Sequence, residues 1–99
     1  MRYYLYCSSG NTRGVEEYLG FFEFGDDDYC SRYLEIQASG QALRYSGAHS
    51  ADEFGMLPEG RWDDIAGQDG KTGYGTFTAI GAGLFDSAWS STRCRNADA

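Results

Sequence analysis

Polar and apolar residues alternate from Arg2 to Cys7, with Tyr3, Leu5 and Cys7 on one side, which is the two-residue period of a first strand. Ser8 to Gly14 breaks the pattern as a polar loop. Val15 to Phe24 is too aromatic and too poor in helix formers for a helix, and the Gly25-Asp26-Asp27-Asp28 run that follows has turn composition. Tyr29 to Ala38 resumes the alternation, placing Cys30, Leu34 and Ile36 on one face and Tyr33, Glu35 and Gln37 on the other. Ala38-Ser39-Gly40-Gln41 then reads as a hairpin turn into a strand over Ala42 to Ser46. Together these segments predict a four-stranded antiparallel meander.

From Gly47 to Gly73 the periodicity gives way to Gly, Asp, Ser and the lone Pro58, with at most a helical turn around Trp62 to Ala66. A loop of that length is usually functional or poorly ordered. Tyr74 to Ile80 has the pattern of another strand. Gly81 to Ser91 brings Leu84, Phe85, Ala88 and Trp89 to helical spacing, opposite Asp86, Ser87, Ser90 and Ser91, so this stripe is expected to pack on the sheet. Thr92 to Ala99 has no apolar anchor and reads as a frayed end. The expectation is an α+β fold: a single antiparallel sheet of four to five strands with a C-terminal helix on one face. Residues 1–92 form one acidic domain and residues 93–99 a flexible tail.

The chain has 99 residues, of which 41% are hydrophobic, enough for one core and too few for two. Eight Tyr, six Phe and two Trp reinforce the sheet reading, because aromatic residues favour half-buried pleated surfaces. The net charge is −7, which disfavours direct binding to nucleic acid or an anionic membrane, since affinity for phosphates comes from Lys and Arg. The charge is also segregated. Twelve of the fifteen carboxylates fall in Glu16 to Asp28 and Asp52 to Asp69, with Arg61 the only basic residue in either stretch. Such blocks create a directional negative field that steers a basic partner.

Met1 to Cys7 lacks the apolar core of a signal peptide, and no stretch is long enough to span a bilayer. Cys7, Cys30 and Cys94 are odd in number and contain no Cys-x-x-Cys, which disfavours a disulfide framework or a closed zinc site. Reduced thiols in a cytoplasmic protein are the expectation.

Cys30-Ser31-Arg32-Tyr33-Leu34-Glu35-Ile36, the turn at Ser39-Gly40, Leu43-Arg44-Tyr45, Leu57-Pro58 and Ile80 with Phe85-Asp86-Ser87-Ala88-Trp89 occur in an order that resembles the DUF6881 family of small bacterial proteins. The likeness covers about two thirds of the chain. It implies a strand, a hairpin glycine and a closing helix, and transfers no catalytic residue. Where the family's helix begins with a capping box, Gly81 and Leu84 stand here, which implies a weaker cap.

Individual chemical motifs do not hold. Gly70-Lys71-Thr72 imitates the end of a P-loop, but Ile65 stands where the first glycine is needed. Neither the Asp26-Asp27-Asp28 triplet nor Asp63, Asp64 and Asp69 have calcium-loop spacing. His49 is the only histidine, which excludes a multi-histidine metal site. Cys7 and Cys30 fall on the inferred core face and are expected to be buried, leaving Cys94 in the tail as the reactive thiol. Tyr18, Phe21, Phe22, Phe24, Tyr29 and Tyr33 are interleaved with acids rather than bases, so most of them read as core rather than as a platform for nucleic-acid bases, and any Tyr left on the surface as part of a protein interface.

The reading that these residues favour is an interaction protein without catalytic site, cofactor or metal. Its acidic face covers a basic surface on a toxin, nuclease or CRISPR effector subunit, in the manner of an immunity protein or an anti-CRISPR-like phage inhibitor. Asp26, Asp27, Asp28, Asp52, Glu53, Glu59, Asp63 and Asp64 are the candidate partner-binding residues. This requires Asp26 to Asp28 to lie on the same side as Asp63 and Asp64. One alternative is a ligand-binding or enzymatic domain in which the Gly47 to Gly73 loop is a lid, lined by His49, Asp52, Asp63 and Asp64. Another is an acidic domain whose charge serves solubility alone.

Overall fold

A computed structural model describes residues 1–8, 17–66 and 75–96. The polar break over 9–14, the start of the second strand at Val15, the Gly70-Lys71-Thr72 motif, Asp69, Tyr74 and the last three residues lie outside the described residues. Five strands form one antiparallel sheet: β1 (Arg2–Ser8), β2 (Tyr18–Phe24), β3 (Cys30–Gln37), β4 (Ala42–Ser46) and β7 (Gly75–Ile80), in the order β4-β3-β2-β1-β7. A separate two-stranded hairpin, β5 (Ala51–Asp52) with β6 (Gly55–Met56), is followed by a short helix, α1, over 62–66. The closing helix α2 spans Ala82–Ser91. The meander, the fifth strand and the C-terminal helix agree with the sequence pattern. The small hairpin was not expected, because two-residue strands leave no periodic signal.

Both faces of the sheet are apolar. One face carries Phe21, Leu34 and Ala42, with Tyr3, Leu5, Ile36 and Ile80 around them, and Phe85, Ala88 and Trp89 of α2 pack there. The other face carries Tyr6, Phe22, Phe24, Cys30, Tyr33, Leu43 and Tyr45, covered by Leu57, Trp62 and Ile65. The 57–65 stretch is therefore the third layer of the domain. Trp62 stacks face to face on Tyr4 with ring centroids 3.9 Å apart, and its edge meets Phe24 and Phe77 at 5.2 and 5.0 Å. Its aromatic contacts thus span β1, β2 and β7.

Three expectations about the core are corrected. Cys30 does not share a face with Leu34 and Ile36. Glu23 pairs with Arg32 while Phe24 pairs with Cys30, so Ser31 is an extra residue in β3, and this bulge turns Cys30 to the Tyr33 face. Cys7 is exposed rather than buried, because it lies near the end of β1 on the face that α2 covers only in part. Cys94 is buried, packed with Phe21, Leu34 and Phe85.

The residues before Ala97 are also not frayed. The Arg95 amide donates to the Ala42 carbonyl at 2.8 Å. The Asn96 side chain accepts from the Arg44 amide and donates to the Arg44 carbonyl, both at 2.9 Å, as a neighbouring strand would. A side-chain amide thereby closes the exposed edge of β4, a device that also discourages pairing with other chains. The anchoring is polar, which is why a search for apolar residues overlooked it.

One position takes an unusual backbone conformation and another admits no side chain. Asp28 has φ 67°, a left-handed conformation that aspartate tolerates better than most residues. Gly75 opens β7 against β1, where a Cβ would lie 2.3 Å from the Tyr6 ring and 2.7 Å from the Cys7 carbonyl, so only glycine fits.

Helix α2 begins at Gly81 with no side-chain cap, as the departure from the capping box implied. Its stability comes from packing. Phe85 is fully buried at 0% exposure, whereas Leu84, assigned by spacing to the same stripe, is 54% exposed. Phe85→Ala is therefore expected to cost about 3 to 5 kcal/mol in urea denaturation. Leu84→Ala should stay within about 0.5 kcal/mol. Equal losses would show that the helix docks in a different rotation.

Candidate functional site

Among the candidate acids, the 26–28 triplet forms a closed turn. The Asp27 carboxylate accepts from the Tyr29 amide at 3.0 Å, and the Asp28 amide donates to the Gly25 carbonyl at 3.0 Å, closing the turn. Asp28 accepts from Arg2 and, at 2.9 Å, from Arg61. The Arg61 guanidinium, with Arg2 behind it, holds the Asp28 carboxyl below its ordinary value. The backbones join as well. Tyr29 pairs with Arg61 in an antiparallel bridge, and the Trp62 amide donates to the Asp28 carbonyl at 3.0 Å.

This bridge brings the two acidic segments side by side. Asp63 and Asp64 lie in the first turn of α1, two and three residues beyond Arg61, and Asp63 acts on the Arg61 charge. Asp26, Asp27, Glu59, Asp63 and Asp64 are all exposed there. Asp28 differs from them, because it is partly buried and paired with two arginines, whereas fully exposed Asp26 has only the terminal amino group of Met1 at 4.0 Å. The sequence offered Arg61 as the only base among these acids, and its role is to tie them together.

Asp52 belongs to a different cluster and is mostly buried. One oxygen accepts from the Tyr45 hydroxyl at 2.8 Å and from the amides of Phe54 and Gly55 at 2.9 and 3.2 Å. The other lies 2.8 Å from both His49 Nε2 and the Asn96 amide nitrogen. Burial pushes this carboxyl up, but the hydrogen bonds from His49, Asn96, Phe54 and Tyr45 outweigh it and hold it well below the carboxylate range. Asp52 thus fastens the β5–β6 hairpin to β4 and to the C-terminal residues. Glu53 is exposed at the tip of that hairpin.

Beside the acidic bridge lies a groove of about 490 Å³, lined by Tyr29, Cys30, Ser50, Ala51 and the run from Met56 to Gly60. Tyr29 and Met56 are each 50% exposed. None of His49, Asp52, Asp63 and Asp64 lines it, so the four groups named for a lidded pocket do not meet there. Burial pushes the Cys30 thiol up to about 12, which leaves it protonated and unreactive at neutral pH. Cys7 lines a second depression, of about 530 Å³, with Leu19 and Ile36. Among the described residues no three His, Cys, Asp or Glu side chains are grouped to hold a metal ion. Nor is any described helix long and apolar enough to cross a membrane.

A further charged cluster lies on the helix face. Glu23 is buried in an otherwise apolar strand and accepts from Arg32 Nε and Nη2 at 2.9 and 2.5 Å and from the Ser31 hydroxyl at 2.7 Å. Arg32 also donates to Asp86 of α2 at 2.9 Å, and its guanidinium lies 4.7 Å over the Phe85 ring. A lone acid in a strand reading YLGFFEF signals a buried partner, and the register places Arg32 opposite it. Against known family models, curated proteins and solved structures the chain shows no match. The resemblance to DUF6881 rests on its motif residues alone.

The Arg32 bonds, against the opposing effect of burial, hold Glu23 below its ordinary value of 4.5. A folded pKa below the unfolded one gives stability that is complete above the ordinary value and is lost as pH falls below it. Thermal unfolding followed by circular dichroism is expected to show the melting temperature dropping between about pH 5 and pH 3, with Asp28 and Asp52 acting in the same direction. Glu23→Gln should cost about 3 kcal/mol at neutral pH and flatten that slope. A variant with the parent's acid profile would show that Glu23 is not the main contributor.

Proposed function

We propose that the chain is a small acidic interaction module that neutralises a basic, nucleic-acid-binding partner protein, as an immunity protein or a phage counter-defence inhibitor of the anti-CRISPR kind. The observation that carries this reading is the Tyr29–Arg61 bridge, which sets the 26–28 turn beside the 61–64 segment. Asp26, Asp27, Asp63 and Asp64 then act together at one edge of the molecule. Carboxylates so placed stand in for phosphates, accept paired hydrogen bonds from arginine and raise the rate of encounter with a basic surface. The motif resemblance to DUF6881 brings no activity with it and leaves the weight on interaction. Asp28 and Asp52 are assigned to holding the fold, which narrows the partner-binding set to the exposed acids.

The test uses the full chain as bait in lysate from its host, with and without phage infection, washed at low and then high salt. A basic protein released by salt is the expected capture. With that protein purified, Asp26→Asn, Asp27→Asn, Asp63→Asn and Asp64→Asn combined should slow association about tenfold at low salt and flatten its salt dependence. The melting temperature should be nearly unchanged, because Asp28 is kept. Association at the parent's rate would remove these acids from the interface.

A further inference from the structure

The groove next to the acidic bridge has a composition that the charge argument does not explain. Tyr29 and Met56 are two of the largest half-exposed apolar side chains in the described structure, and both line it. Its floor is fixed. Cys30 is buried, and Leu57 packs into the core while its amide donates to the Ser50 carbonyl at 2.7 Å. A volume of about 490 Å³ suits one or two side chains of a partner. No Lys or Arg lines the groove, Glu59 does, and Asp26, Asp27, Asp63 and Asp64 flank it in the chain.

We infer that this groove receives a single segment of the basic partner, in which one apolar side chain is flanked by arginine or lysine. The inference rests on the acidic-module reading and adds the chemical class of what is recognised. The apolar residue fills the space between Tyr29 and Met56, where tyrosine supplies rigid contact area and methionine adapts its shape. The flanking cations reach the exposed acids on either side. A second copy of this chain is disfavoured as occupant, since each copy has a net charge of −7.

The experiment selects peptides from a random dodecapeptide display library on the full chain and measures the affinity of the enriched sequences by calorimetry. Enriched peptides are expected to carry a large apolar residue beside at least two Arg or Lys. Tyr29→Ala with Met56→Ala should weaken them about tenfold or more, while Tyr29→Phe with Met56→Leu retains binding. Both side chains are half exposed, so these variants are expected to stay folded. No enrichment, or equal binding by the alanine pair, overturns the inference. Peptides that need the four exposed acids but not Tyr29 and Met56 overturn the groove and leave the acidic module standing. Peptides that need the groove but bind the four-asparagine variant equally overturn the acidic module, and with it the basic flanks.

Discussion

A sheet that is apolar on both faces has to be covered twice, and among the described residues the ten-residue helix α2 covers one face only. The second cover is made from the 57–65 stretch, in which the short helix α1 is the one regular element and has too few turns to hold its place unaided. Trp62 resolves this by stacking flat on Tyr4 while its edge meets Phe24 and Phe77. Aromatic pairs with this geometry contribute beyond the area that they bury. Nearly everything distinctive about the acidic edge follows from that anchor, because the residues on either side of Trp62 are placed wherever its ring has to go.

Polar contacts then fix what the aromatic anchor leaves loose, and they do so with charge. Arg61 is held by Asp28, the β5–β6 hairpin by Asp52, and helix α2 by Arg32 reaching from Glu23 to Asp86. The acidity of the chain therefore has two populations. Some carboxylates are structural, with pKa values lowered by their partners, and the others face outward. Arg2, Arg32 and Arg61 are each engaged by a carboxylate that holds the fold, and acids outnumber bases over the whole chain, so the surface keeps a net negative field.

Strand positions were legible because alternation survives even where both faces are buried, and the closing helix was legible from Phe85, Ala88 and Trp89. The assignment of faces was less so. A bulge at Ser31 is invisible to a period of two, and it moved Cys30 across the sheet. Low hydrophobicity after Gly47 suggested a functional or poorly ordered loop; the helical turn expected around Trp62 to Ala66 is present as α1, but nothing in the spacing showed that Leu57, Trp62 and Ile65 cover a sheet face. Of the candidate site, the acidic clustering was legible in the sequence. It could not separate the outward acids from Asp28 and Asp52, whose partners lie 26 or more residues away for Asp28 and 44 away for the Asn96 contact.

The contact at Asn96 has a chemical corollary. Its amide accepts from one backbone group of Arg44, donates to the other and donates also to Asp52. Aspartate has the same size and shape but supplies acceptors alone when ionised. Closure of the β4 edge at Arg44 thus comes down to one nitrogen atom in place of one oxygen.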